Sequence, residues 1–211
     1  LKIVVLGSGT LLKESIILQI AKDAKYIICA DGGVKHLFEY GLIPDIVVGD
    51  LDSISLKNLE IIKEKGIKII EFPTNKDYTD LELALEQAAL LGAKEVVIGG
   101  VIGTRLDHTM GNILILNKMN KKNIKATIVD NNNEISLLDE SEAVFDNTHK
   151  YISIIPVSNE GAVVSTEGFK YEVSNRKFEY SSLLGVSNEI LGKRGKIKIH
   201  KGTCLIIKAD D

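Results

Sequence analysis

Two short segments carry four carboxylates at spacings suited to chemistry: Gly49-Asp50-Leu51-Asp52-Ser53 and Lys76-Asp77-Tyr78-Thr79-Asp80. Asp50 and Asp52 follow the apolar run Ile46-Val47-Val48. In an extended chain, residues two apart point to the same side, so both carboxylates converge where that strand ends. Such a pair suits a hard cation such as Mg²⁺ and, through it, phosphate. A helix cap at Asp52 or Ser53, ahead of a helix through residues 57–65, explains one acid and leaves its partner without a role. The metal-site reading explains both. Asp77 and Asp80 are three apart at the start of a helical pattern over 81–91 and share a face of its first turn. Here capping competes: Asp77 as N-cap with Asp80 at the third helical position resembles a capping box, and both acids suit the positive helix end. Taken alone the pair reads as structural; a place beside Asp50 and Asp52 leaves both readings open. Lys76 is either a phosphate contact or a solvated lysine.

Three glycine-containing segments also end apolar runs. Residues 99–108, Gly-Gly-Val-Ile-Gly-Thr-Arg-Leu-Asp-His, lead into a helical pattern. Glycines there let backbone N–H groups approach an anion, and Arg105 adds a donor fork suited to phosphate. The alternative is a plain glycine turn in which Arg105 pairs with Asp107. His108 beside Asp107 hints at base catalysis, although a local hydrogen bond is the commoner outcome. Ala30-Asp31-Gly32-Gly33 brings one more acid and two permissive glycines to a strand end. Gly7-Ser8-Gly9-Thr10 begins like a dinucleotide fingerprint, but Leu12 stands where its third glycine belongs; Asp31 falls about where a ribose-binding acid would. No G-x-x-x-x-G-K-[ST] segment is present, so phosphate is not held by a P-loop.

The elements that must position these groups follow from periodicity. Short apolar runs at 3–6, 26–30, 46–48, 67–70, 95–98 and 126–129 alternate with helical patterns. In these, Leu81, Leu85, Ala88 and Ala89 share one face, and Leu56, Leu59 and Ile62 another. Apolar strands alternating with helices imply an α/β fold with a mostly parallel N-terminal sheet and flanking helices. Ligands of such sheets sit at the carboxyl ends of the strands. Beyond about Asp139 the pattern changes to period two: Ile152 and Ile154 around Ser153, Ile197 and Ile199 between lysines, and a hairpin-like turn over 200–203. Residues 1–139 therefore form an α/β domain and 140–211 a small all-β sandwich. A unit that small buries little surface alone and needs the first domain or a second copy of the chain.

The chain has 211 residues and is 45% hydrophobic and 26% charged, with 26 Lys/Arg against 29 Asp/Glu, a net charge of -3. No broad basic surface argues for nucleic acid. The acid excess lies in residues 1–140, with 16 basic against 20 acidic, leaving 10 against 9 afterwards. The apolar runs are too short to span a bilayer, and the first residues read as a strand rather than a signal peptide. Cys29 and Cys204 lie far apart outside any C-x-x-C pair, and read as reduced core residues of a cytoplasmic protein. The four histidines are scattered and make no zinc pattern.

The ordered set Ala-Asp-Gly-Gly (30–33), Pro44-Asp45, Gly-Asp-Leu-Asp-Ser (49–53), Lys-Asp-Tyr-Thr-Asp (76–80), Arg-Leu-Asp-His (105–108) and Val-Ser-Asn-Glu (186–189) resembles the thiamine pyrophosphokinase (thiamine diphosphokinase) family. Gly103-Thr104-Arg105 departs from the Gly-Gly-Arg frequent in that family. The resemblance implies an ATP-binding α/β domain, a β-sandwich that helps to bind thiamine, and a homodimer with active sites between subunits. It implies transfer of the terminal diphosphate of ATP to the hydroxyl of thiamine, leaving AMP. On the same basis Asp50, Asp52 and Asp80 are the expected metal or catalytic acids, with Asp31 and Asp77 nearby. Gly32, Gly33, Lys76, Arg105, Asp107 and His108 fall on the nucleotide side. Ser187 and Asn188, with Asp80, fall on the thiamine side. Two other classes fit the acidic cleft: another Mg²⁺-dependent nucleotide phosphohydrolase, and a non-catalytic thiamine or nucleotide sensor.

Overall fold

The computed structural model describes residues 1–73, 77–180 and 182–211. The chain divides into two compact units, Leu1–Asn131 and Asn132–Asp211. In the first, strands β1 (Lys2–Leu6), β2 (Tyr26–Ala30), β3 (Ile46–Gly49), β4 (Lys68–Glu71), β5 (Glu95–Gly99) and β6 (Lys125–Val129) alternate with helices α1 (Glu14–Ala21), α2 (Lys35–Phe38), α3 (Leu56–Glu64), α4 (Asp80–Leu90) and α5 (Leu106–Lys121). All six strands are parallel, in the order β4-β3-β2-β1-β5-β6. The order reverses between β1 and β5. That reversal opens a crevice beyond the carboxyl ends of the strands, the usual ligand position in such sheets.

β1, β2 and β3 are buried nearly throughout because helices cover them; α4 packs over β1, β2 and β3. β4 at the sheet edge is only half covered, so the expected full burial fails there. Leu81, Ala84, Leu85 and Ala88 form the inward face of α4, with Ala84 in the place expected for Ala89. Leu56 is 82% exposed, against expectation, because α3 starts at that residue; Ile54, in the preceding turn, enters the core instead.

The second unit contains β7 (Asn133–Asp139), β8 (Glu142–Asp146), β9 (Tyr151–Pro156), β10 (Ala162–Glu167), β11 (Arg176–Phe178), β12 (Arg194–Lys201) and β13 (Thr203–Ala209). β7, β13 and β9 form one antiparallel layer, and β11, β10, β12 and β8 another. Ile152, Ile154, Ala162, Val164, Ile197, Ile199, Cys204 and Ile206 come from both layers and meet in one core, which makes the unit a sandwich. The turn after His200 is a corner rather than a hairpin: β12 and β13 belong to different layers, and Gly202 lies between them. Cys29 and Cys204 are free and buried; burial pushes both thiols up, Cys204 to about 12. Among the described residues, no helix is long and apolar enough to cross a membrane.

Candidate active site

The carboxyl ends of β1, β2 and β5, with the starts of α4 and α5, wall a cavity of about 540 Å³ at the strand-order reversal. Residues 7–10 follow β1; Ala30, Asp31 and Lys35 close β2; residues 79–81 open α4; and residues 100–105 include Gly100, Gly103 and Arg105. Asp31 is 7% exposed and forms the floor of an acidic cluster. One oxygen atom each from Asp31, Asp50 and Asp52 can be chosen so that all three lie within 4.8 Å of one another. Asp80 adjoins them across Gly49: a side chain on Gly49 would come within 3.1 Å of both Asp31 Cβ and Asp80 Oδ1.

The chain does not stay extended through 50–52, as the sequence reading assumed. Leu51 has a φ of 66°, so the strand ends in a tight turn. The Asp52 backbone N–H donates to Asp50 Oδ1 at 3.2 Å, which closes the turn and keeps the two acids together. The capping alternatives are displaced. Ser55, not Asp52 or Ser53, caps α3, its hydroxyl accepting from Asn58 N–H. Thr79 caps α4 in a complete capping box: its hydroxyl accepts from Glu82 N–H at 3.2 Å, and the Glu82 carboxylate accepts from Thr79 N–H at 3.1 Å. Asp80 is therefore the first helical residue rather than the third, and Asp77 lies outside the cap altogether, exposed in the bend before it. Helix capping thus consumes neither Asp77 nor Asp80.

The electrostatics of the cluster are those of like charges held close. Burial raises the Asp31 carboxyl above its ordinary value, and the Asp80 and Asp50 charges add to this; hydrogen bonds from Ser53 and the Gly32 backbone oppose it. Hydrogen bonding with Asp50 and the Asp50 charge raise exposed Asp52. Ser53 Oγ donates to Asp31 Oδ2, whereas Asp31 Oδ1 is buried with no hydrogen-bond partner among the described residues. A buried carboxylate oxygen left without a partner is costly, and a bound cation removes that cost. Three convergent carboxylates with one such oxygen form a donor set suited to a hard divalent ion such as Mg²⁺.

The opposite wall is organised by a residue that sequence reasoning passed over. His36 is fully buried between the ends of β1 and β5. Its Nδ1 accepts from Leu12 N–H at 3.2 Å, so the proton sits on Nε2, which donates to the Gly7 carbonyl at 2.9 Å. Burial, chiefly, pushes its pKa down to about 4. Gly100, with φ 64°, packs against the ring; a Cβ there would lie 2.2 Å from His36 Nε2. Gly33 admits a similar approach, since a Cβ would lie 2.1 Å from the Leu6 carbonyl. The dinucleotide reading fails on this wall. The Gly9 and Thr10 N–H groups donate to the Gly100 and Ile102 carbonyls, at 2.5 and 2.8 Å, and are not presented to a phosphate.

Arg105 adopts the local alternative. Its guanidinium donates to Asp107 through Nε at 3.2 Å and Nη2 at 2.5 Å, and this holds the Asp107 carboxyl at about 2. Both side chains are exposed, so the pair is easily opened by a competing anion. His108 lines the cavity, while Asp107 faces a neighbouring groove beside α5. Gly32 lies behind the cluster, where a Cβ would meet Ser53 Oγ at 3.0 Å. Lys76 falls outside the described residues. In the second unit Ser187 is exposed with φ 58°, and its N–H donates to Ser153 Oγ at 3.0 Å. Asn188 is 8% exposed, and its side-chain amide braces a neighbouring segment: Nδ2 donates to the Tyr171 carbonyl at 2.8 Å, and Oδ1 accepts from Tyr171 and Glu189 N–H. The Asn188 amide is thus engaged with the main chain at Tyr171 and Glu189. Lys35 and His36 carried no motif signal beyond lying two and three positions past Ala-Asp-Gly-Gly.

Residues 17–128 match the family described as thiamin pyrophosphokinase, catalytic domain, and residues 134–204 match its vitamin B1 binding domain. The chain belongs to the thiamine pyrophosphokinase family. It is 34% identical over 183 residues to the thiamine pyrophosphokinase of Bacillus subtilis, covering 86% of each chain. It is 32% identical over 181 residues to thiamin pyrophosphokinase 1 of Caenorhabditis elegans, covering 79% of this chain and 72% of that one. The crystal structure of the Bacillus subtilis thiamine pyrophosphokinase superimposes with a TM-score of 0.90 at 30% identity, each chain covered in full. Both thiamine pyrophosphokinase family domains are thus present in this chain, in the family's order.

Proposed function

We propose that this chain is a thiamine diphosphokinase: it transfers the diphosphate of ATP to the hydroxyl oxygen of thiamine, giving thiamine diphosphate and AMP. The observation that carries the reading is the Asp31, Asp50, Asp52 and Asp80 cluster, at the strand-order reversal of a chain that matches both family domains. In the reaction, the thiamine hydroxyl oxygen bonds to the β-phosphorus, the bond between that phosphorus and the oxygen bridging to the α-phosphate breaks, and AMP departs with the electron pair. The hydroxyl proton is released as the new bond forms; Asp80 and Asp77 are the candidate acceptors, and neither is required if the proton passes to water.

Asp31, Asp50, Asp52 and Asp80 are the residues proposed to hold Mg²⁺. Held there, it would supply Lewis-acid neutralisation of phosphate charge. The chain's own work is positioning and electrostatics, which dominate phosphoryl chemistry. Asp31 anchors the cluster from a buried site, and the Asp50–Asp52 turn keeps two acids close without a regular strand. Arg105, His108 and Lys76 are assigned to the nucleotide side, with Asp107 orienting Arg105 until an anion displaces it. Gly33 gives the β2 turn its close fit to β1, and Gly32 seats Ser53 against Asp31. Ser187 is assigned to thiamine, whose cationic ring an acid-rich cleft also favours.

The α/β unit, Leu1–Asn131, is assigned to ATP and the β-sandwich unit, Asn132–Asp211, to thiamine. The protein is proposed to act as a homodimer whose sites lie between subunits, in the cytoplasm, where two unpaired buried thiols would remain reduced. The test is AMP production from ATP and Mg²⁺ with and without thiamine. The proposal expects AMP only when thiamine is present. Thiamine-independent hydrolysis would favour a phosphohydrolase, and tight binding of both ligands without turnover would favour a sensor.

A further inference from the structure

Lys35 lies in the cavity and belongs to none of the motifs. It is the first residue of α2, four positions beyond Asp31, and lines the cavity together with Ser8 and Gly9. Its ammonium donates to the Ser8 carbonyl at 2.7 Å, a neutral partner. Lys35 is half-buried, and this partial desolvation lowers its pKa. Among the described residues the Ser8 carbonyl takes one of its three N–H donors, which leaves two for a ligand.

The charges on the walls sort by position. Asp31 and Asp80 belong to the acidic cluster below α4. Arg105, a second cation among the described lining residues, is bonded to Asp107. Lys35 is held instead against the β1 loop, where the Gly9 and Thr10 N–H groups are turned away into bonds with the β5 loop. That side of the cavity therefore has a side-chain cation in place of the backbone amides that phosphate-binding loops usually supply.

We infer that Lys35 is a phosphate-binding residue of this site, contacting a phosphate oxygen of the nucleotide. This rests on the diphosphokinase reading above, in which ATP occupies the cavity. The polyphosphate then meets both the Lys35 ammonium and the carboxylates proposed to hold the cation. His36, the next residue, fixes the same segment against Gly7 and Leu12, so the lysine springs from a rigid base.

Calorimetric titration with Mg-ATP in the absence of thiamine, and separately with adenosine, tests the inference on wild type, Lys35→Gln and Lys35→Arg. A lost charge-assisted hydrogen bond corresponds to about tenfold to a hundredfold in affinity. Lys35→Gln should weaken Mg-ATP by that factor and leave adenosine unchanged, while Lys35→Arg should recover most of the Mg-ATP affinity. Unchanged Mg-ATP binding in Lys35→Gln overturns the inference. So does an equal loss for ATP and adenosine, which would make Lys35 a structural tether of the Ser8 loop. Failure of the underlying reading would look different: wild type itself would form no thiamine-dependent AMP.

Discussion

His36 joins the ends of β1 and β2 and touches β5, so its neutral state is part of how the site is held. In the folded chain its pKa is pushed from 6.5 to about 4 by burial first and by the Lys35 charge second, against the Gly7 hydrogen bond. Between those values the unfolded chain binds a proton that the folded chain refuses, so stability rises with pH. The contribution is complete above the unfolded value and is lost as pH falls toward the folded one. The gap corresponds to ~3 kcal/mol in full, of which ~2 kcal/mol disappears between about pH 7.5 and about pH 5. His36→Phe removes this titration and also leaves Leu12 N–H and the Gly7 carbonyl without their ring partners. That loss should make the variant less stable than wild type by ~2 kcal/mol at neutral pH. At about pH 5 the two proteins should unfold at nearly the same urea concentration, because wild type alone has lost the histidine contribution. Carboxylate titrations common to both cancel in the difference. A wild-type-minus-variant stability that stays constant across this pH range refutes the reasoning.

Further expectations concern the acids and the glycine beside that ring. Gly100→Ala would place a methyl 2.2 Å from His36 Nε2 and 2.8 Å from the Gly7 carbonyl, at a φ of 64°. It should cost ~2–4 kcal/mol in urea unfolding and remove Mg-ATP binding. Asp80→Asn should abolish AMP formation while leaving unfolding stability within ~0.5 kcal/mol, because Thr79 and Glu82 cap α4; a loss comparable to Thr79→Ala, ~1 kcal/mol, would return Asp80 to a capping role. Asp52→Asn should likewise end turnover and weaken the Mg²⁺ dependence with the far-UV spectrum intact; near-normal activity would remove Asp52 from the metal site. Mg²⁺ should raise the melting temperature of wild type. The increment should shrink as pH falls through the raised range of Asp31 and Asp52, since protons compete with the cation for both. An increment independent of pH would place the ion elsewhere.

The α/β unit was legible because burial on both faces writes itself as unbroken apolar runs. β2, for instance, has the bounds that its apolar run 26–30 predicts. The β-sandwich was legible from the alternation around Ser153 and between Lys196 and Lys198. The corner at Gly202 was not, because a turn's composition does not say whether the strands on either side pair with each other or separate into two layers. The acidic cluster was half legible. The spacing of Asp50 and Asp52 pointed to convergence, yet the convergence comes from a turn at Leu51 and a backbone bond rather than from an extended strand. The part played by Asp31 depends on its burial and on Ser53, which lies 22 positions away. Helix capping was misplaced by two or three residues at α3 and by two at α4, since several neighbouring residues in each segment have oxygen-bearing side chains that could cap. His36 was invisible for a simpler reason: its partners are a carbonyl and an N–H of the main chain, and no side-chain pattern records them.

The central claim is that the Asp31, Asp50, Asp52 and Asp80 carboxylates hold the cation on which diphosphate transfer depends. Anomalous scattering from a crystal grown with Mn²⁺ in place of Mg²⁺, with AMP and thiamine diphosphate present, tests it most directly. The account predicts a Mn²⁺ peak at ~2.2 Å from oxygens of that cluster, with diphosphate oxygens completing the coordination. A Mn²⁺ peak bound only away from these carboxylates, in protein that still turns over with Mn²⁺, contradicts it.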